Sequence, residues 1–184
     1  MTPDATPMAL KAALLEKIAS LQSSSASARA VFRARTRLEE GVRCSATVRQ
    51  FGPMTVDEPP DLGGADAGPN PVELLLVALG TCQEIVYAAY AAVMGIALDE
   101  VSVEVKGYLD LRGLFAIDEA VPAGYQKVTF ETRIRSSADA TAIEQLVRMT
   151  ESHCPVLDTL KRPIEVAGKV IVNGQVLGAQ SLAA

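Results

Sequence analysis

Between residues 70 and 95 the apolar positions come so densely that a helix buried over most of its girth is the element that accommodates them. Asn70 is placed to accept a backbone N–H as N-cap, and Pro71 fits the first helical position. Glu73 can complete a capping box, and Gly95 supplies the stop. At about 100° per residue, Cys82 falls on a seam with Leu75, Ala78, Leu79, Val86, Ala89 and Val93, with Glu73 and Glu84 on the opposite side. The carboxylates and Gln83 interrupt the stretch too often for a membrane span of about twenty apolar residues, so it reads as the core helix of a domain.

Upstream, Leu10, Leu14, Ile18 and Leu21 share one face and predict a short amphipathic helix, followed by a Ser-rich linker over 23–27. Lys11, Glu16 and Lys17 break the uninterrupted apolar run that a signal peptide needs; the helix reads as an arm packing on its own body or on a partner subunit. Over residues 31–51 the period drops to two, with Glu39, Glu40 and Gly41 as the turn of a hairpin. Arg33, Arg35 and Arg37 share a face of its first strand. On the second, Val42, Cys44, Ala46 and Val48 face one way and Arg43 and Arg49 the other, so Cys44 reads as a small core residue. Residues 52–69 carry four prolines and four glycines without usable period, which predicts a long loop of the kind that lines a site or a subunit contact.

Downstream, half-buried strands are expected over 101–109 and 126–134, with an irregular excursion over 110–125 between them. A second helix is expected over 138–152, with Ile143, Leu146, Val147 and Thr150 inward. Pro155 then opens a new short helix with Cys154 at its N-cap, and the Asn173-Gly174 pair turns a terminal hairpin. This order predicts an α+β fold with a largely antiparallel sheet: an N-terminal helix and linker over 1–28 and a single domain over 29–184.

Charge narrows the partners. A formal net charge of −5 and a pI near 5.0 argue against nucleic acid or an anionic membrane, although six of the eleven arginines crowd into residues 29–49. That basic patch is either a solvated sheet face or a means of drawing an anion or holding a thiolate. Three cysteines are too few and too uneven for a disulfide framework, so thiols in a reducing compartment, the cytoplasm, are expected.

Of those thiols, Cys154 has the better local argument for a thiolate, at a helix N-terminus. Cys82, about three turns into an apolar helix, reads on its own as packing. His153, the only histidine, adjoins Cys154 in sequence and is poorly placed to form a dyad with it, and no close pairing of ligands points to a metal. No glycine loop for phosphates or dinucleotides is present.

Two segments resemble the OsmC/Ohr superfamily, the osmotically inducible and organic hydroperoxide resistance proteins: the run from Gly68 and Pro69 through Asn70-Pro71-Val72-Glu73-Leu74-Leu75 to Cys82, and His153-Cys154-Pro155-Val156. The match in order and spacing covers about residues 30–172. The resemblance implies an OsmC-like fold in an intertwined homodimer, its long central helix packed on its mate and its sites between subunits. It also implies thiol-dependent reduction of organic hydroperoxides or hydrogen peroxide, with Cys82 peroxidatic, Cys154 resolving, an external dithiol as reductant and no metal or bound cofactor. In the peroxidases of that superfamily a glutamate two residues after the asparagine holds an arginine against the thiolate. Here that position is Val72 and the acid is Glu73, turned by about 100°. Support at the site is therefore sought from Glu73 and from Arg33, Arg35, Arg37, Arg43 and Arg49. The alternative is a non-catalytic OsmC-like module that binds a small apolar ligand at the subunit groove.

Overall fold

The computed structural model describes residues 6–24, 28–177 and 181–182. Its centre is helix α2 (Pro71–Met94), against which β4 (Glu100–Tyr108), α4 (Ala140–His153), α1 (Pro7–Ser23) and α5 (Pro155–Lys161) all pack. The start of α2 is chemically fixed. Asn70 Oδ1 accepts the Glu73 N–H at 2.9 Å, and Glu73 Oε2 accepts the Asn70 N–H at 2.8 Å, a reciprocal capping box, with Pro71 beside it. Gly95 ends the helix at φ +73°, in the left-handed region that glycine enters without steric cost. By length and composition α2 is the one described helix that would pass for a membrane span. Its four packing partners make it the hub of the fold.

The buried stripe of α2 differs from the expected seam. Leu79, Gln83, Tyr87 and Ala91 are the inward residues, with Gly80 beside them, while Cys82 lies at the edge and is only partly covered. The rotation has a physical origin that apolar periodicity overlooks. A Cβ on Gly80 would sit 3.3 Å from Val105 Cγ2, a tight contact, so the missing side chain eases the approach of β4. Gln83 is fully buried; Thr132 Oγ1 donates to its Oε1 at 3.5 Å, and its Nε2 has no hydrogen-bond partner among the described residues. Glu84, expected on the outer side, instead accepts the Val103 N–H at 3.1 Å and ties α2 to β4. The outer face shows Val77, Thr81 and Ile85, with Ile85 68% exposed.

The expected hairpin is β1 (Ala34–Glu40) and β2 (Arg43–Val48), turned at Gly41 with φ +57°. The stretch expected to be a bare loop holds a third strand, β3 (Met54–Val56), pairing Cys44 with Val56, and a 3-10 turn at Pro60–Leu62. Three residues are too few to display a period. Cys44 is half-buried. This antiparallel β1-β2-β3 sheet stands largely off the helices. It reaches α2 through the 57–70 segment, which Asp57 organises. One carboxylate oxygen accepts the Glu58 N–H at 3.0 Å, and the other accepts those of Ala65 and Ala67 at 3.1 and 3.2 Å. Glu58 Oε2 in turn lies 3.4 Å from Asn70 Nδ2, linking the loop to the helix cap.

Strands β4 and β5 (Lys127–Arg135) pair antiparallel along their whole length, from Glu100 with Arg135 to Tyr108 with Lys127. The excursion between them contains a single-turn helix, α3 (Leu111–Leu114), whose four residues leave no periodic signal. Asp139 caps α4 by accepting the Ala142 N–H at 2.9 Å. As expected, Pro155 opens α5 directly behind it with Cys154 at the N-cap. The tail contains β6 (Val166–Ala167), β7 (Ile171–Val172), β8 (Gln175–Val176) and β9 (Ser181–Leu182); β7 and β8 turn at Asn173-Gly174, and β6 pairs with β9. The expected N-terminal helix is α1, which lies against α2 but buries none of its residues, Leu10 and Ile18 of the expected apolar face staying exposed; residues 25–27 of the linker fall outside the described residues. The chain is thus α+β, with antiparallel sheets and helices gathered on one hub.

Two outcomes follow. Asn70→Ala removes one half of the capping box and is expected to lower stability by about 1 kcal/mol, read as a shifted urea midpoint at unchanged slope. The second concerns acid. Burial alone would raise the Asp57 carboxyl, but the N–H groups of Ala67, Ala65 and Glu58 and the charge of Arg43 bring it below its ordinary value. Its contribution is therefore complete above the unfolded carboxylate range near about pH 4 and is lost as pH falls through the lower folded value. Asp57→Asn should flatten that part of the thermal-midpoint profile against pH; a profile parallel to the wild type would show that the carboxylate is not what holds the loop.

Candidate functional site

Helix α2 and the α4–α5 junction place two sulfurs together from positions far apart in sequence. Cys82 projects from the edge of the buried stripe of α2, and Cys154 sits where Pro155 interrupts one helix and starts the next. The Cys154 thiol donates to Cys82 Sγ across 3.5 Å. Around them Leu79, Leu157, Val105, Val128, Phe130 and Val156 form an apolar cluster. Exposure separates the two: Cys154 is 0% exposed, whereas Cys82 keeps part of its surface.

The electrostatics correct the local sequence reading that favoured Cys154 as the thiolate. Burial pushes the Cys154 thiol above its ordinary value, and the neighbouring Cys82 sulfur pushes it the same way; the N–H groups of Leu157 and Val156 oppose this without reversing it. A helix N-terminus lowers a thiol pKa only where burial does not outweigh it, and α5 is a short helix. This direction favours the protonated thiol at Cys154, in keeping with its place as donor to Cys82.

The other candidate residues lie elsewhere. Glu73 is engaged in the cap of α2. Arg35 and Arg37 lie on β1 and Arg33 just before it, beyond any carboxylate partner among the described residues. Arg43 pairs with Glu40 at 2.8 Å, and Arg49 stacks over Phe51 at 4.8 Å. Among the described residues, the hydrogen-bond partner of Cys82 is Cys154 and no guanidinium shares it. His153 is exposed; its Nδ1–H donates to the Met149 carbonyl at 2.8 Å and its ring lies 5.5 Å from Tyr90, so it bonds to neither cysteine.

The sequence reading missed the cleft beside the pair. About 440 Å³ in volume, it is lined by Leu75, Leu79, Val128, Phe130 and Leu157, with Tyr125, Lys127 and Lys161 also on its walls. Tyr125 is held by a 3.0 Å hydrogen bond from its hydroxyl to the Val72 carbonyl. Tyr125 and Lys127 come from the far end of β5 and its approach, and no linear motif connects them to either cysteine. Chemically, the arrangement offers two thiols near disulfide-forming distance, one of them reachable, beside an apolar wall.

Curated protein sequences give no match. Solved structures do share the fold. The OsmC-like protein of Mycoplasma pneumoniae aligns with a TM-score of 0.62 at 20% identity, over 72% of this chain and 88% of that one. An organic hydroperoxide resistance protein OsmC from Legionella pneumophila aligns at 0.54 and 21% identity, over 72% of this chain and 92% of that one. An organic hydroperoxide resistance protein from Elizabethkingia anophelis aligns at 0.55 and 17% identity, over 72% and 91%. Residues 63–168, more than half of the chain and the segment that carries both α2 and the cysteine pair, match the profile of OsmC-like proteins, and to that family this chain belongs.

Proposed function

We propose that the protein is a thiol-dependent peroxidase that reduces hydroperoxides through Cys82 and Cys154. The observation that carries this reading is the 3.5 Å approach of the two sulfurs, one partly exposed and one buried. It is supported by membership of a family whose structural neighbours include organic hydroperoxide resistance proteins. The accessible Cys82, as thiolate, attacks the terminal oxygen of the hydroperoxide. The O–O bond breaks, an alcohol leaves after taking a proton, and Cys82 becomes a sulfenic acid. Cys154 Sγ then attacks the Cys82 sulfur; the sulfenic hydroxyl leaves as water with the Cys154 proton, and a disulfide forms. Closing from 3.5 Å to about 2.05 Å requires only local movement. An external dithiol, itself oxidised to a disulfide, returns both thiols, which suits a reducing cytoplasm.

Two features favour a second copy of the chain completing the unit. The outer face of α2 presents Val77, Thr81 and Ile85 to solvent, and the β1-β2-β3 sheet extends off the body with Arg33, Arg35, Arg37 and Arg49 outside any ion pair among the described residues. A mate packed on that helix face would bury the apolar stripe and bring an arginine-bearing sheet toward the opposite Cys82, where a cation would hold the thiolate.

Peroxide treatment should produce a Cys82–Cys154 disulfide, identified by mass spectrometry of non-reduced peptides. Cys82→Ser should lower dithiol-dependent turnover by roughly 10²-fold or more, while Cys154→Ser should let a sulfenic acid accumulate that a dimedone-type reagent traps. Both thiols surviving excess peroxide, with no turnover, would overturn the proposal. The second reading, a ligand-binding module, has the cleft in its favour and predicts ligand affinity that survives Cys82→Ser. For assembly, Ile85→Asp should convert a dimer to monomers by light scattering coupled to gel filtration; a wild-type protein that elutes as a monomer removes the mate from the scheme.

A further inference from the structure

The cleft beside the cysteine pair is more specific than a greasy surface. Leu79, Val128, Phe130 and Leu157 belong both to its lining and to the cluster around Cys82 and Cys154, so an occupant of the cleft lies against the same wall as the sulfurs. Its volume of about 440 Å³ falls within the roughly 300–1,000 Å³ of small-molecule sites, whereas hydrogen peroxide needs no such space. Two ammonium groups stand on its walls, from different elements: Lys127 at the start of β5 and Lys161 at the end of α5. Neither has a carboxylate partner among the described residues, although Lys106 and six arginines do; Lys127 instead lies 5.6 Å over the Tyr108 ring. Glu73, the carboxylate felt by Tyr125 on the cleft wall, is committed to the Asn70 N–H. An acidic protein thus presents uncompensated positive charge at an otherwise apolar cleft next to its thiols.

We propose that this cleft takes an amphipathic carboxylate. The anionic head is held by Lys127 and Lys161 and the hydrocarbon body lies along Leu79, Val128, Phe130 and Leu157. Resting on the peroxidase reading, Lys127 and Lys161 are then specificity-determining residues that favour a hydroperoxide bearing a carboxylate over its neutral ester. The lysines supply charge, and the floor supplies apolar burial.

Binding and turnover are tested separately. Calorimetry on the reduced protein compares octanoate with 1-octanol, which share chain length and differ in charge. Octanoate should bind about tenfold more tightly, with a preference that shrinks as salt rises and disappears in the Lys127→Gln, Lys161→Gln double variant. Both lysines are exposed, so the double variant is expected to fold. Kinetics compare a fatty-acid hydroperoxide with its methyl ester, using dithiothreitol as reductant; the kcat/KM ratio of acid to ester should be about ten and fall to about one in the double variant. Equal affinity for octanoate and octanol, or a preference that persists without the lysines, overturns the proposal even if both peroxides are reduced. Octanoate preference with neither peroxide reduced supports the cleft assignment and locates the failure in the peroxidase reading.

Discussion

The packing of α2 against β4 and α4 is the constraint on which the rest of the molecule depends. Gly80, whose missing side chain leaves room for Val105, eases it, and it buries Gln83 and Tyr87 where a helix read by apolar spacing would put Cys82 and Val86. The resulting rotation leaves Cys82 at the boundary between core and surface. A helix turned with Cys82 at the centre of its buried stripe would close the sulfur off, and one turned the other way would separate it from Cys154. Structural burial and chemical access are therefore settled by one angle, and the Glu84 contact with the Val103 N–H helps to hold it.

The second determinant is the break between α4 and α5. A continuous helix would carry position 154 around with its neighbours; Pro155 instead ends one hydrogen-bonded run and starts another. The residue at that break is fully buried while its backbone is extended rather than helical, with φ −74° and ψ 112°. Thr150, one turn earlier on α4, is buried with it, so the junction is a packed part of the core.

Much of this was legible in the chain because it was written in local chemistry. Asn70, Pro71, Glu73 and Gly95 marked both ends of α2, and Pro155 marked the start of α5, since caps and proline act within a few residues. The long strands β4 and β5 displayed their alternation. What was hidden was either short or distant. β3 and α3 contain too few residues to establish a period, and Thr132, the partner that the inward Gln83 meets, lies far along the chain. The state of Cys154 was misread for a related reason: the helix-end argument uses neighbours in sequence, while the burial that outweighs it is assembled from α2, β4 and β5. Lys127 and Lys161 join one cleft only after the chain has folded.

The burial of Cys154 also bears on how an oxidised pair would be reopened. An incoming dithiol would meet the Cys82 side of the bond, because the other sulfur has no exposed surface. The mixed disulfide would then form on Cys82, and Cys154 would be the leaving group. A thiol whose pKa is raised by burial is a reluctant leaving group, since departure as thiolate means placing charge in the apolar cluster. The same enclosure that shields Cys154 from adventitious oxidants would thus make its release, rather than the encounter with reductant, the slow part of recovery.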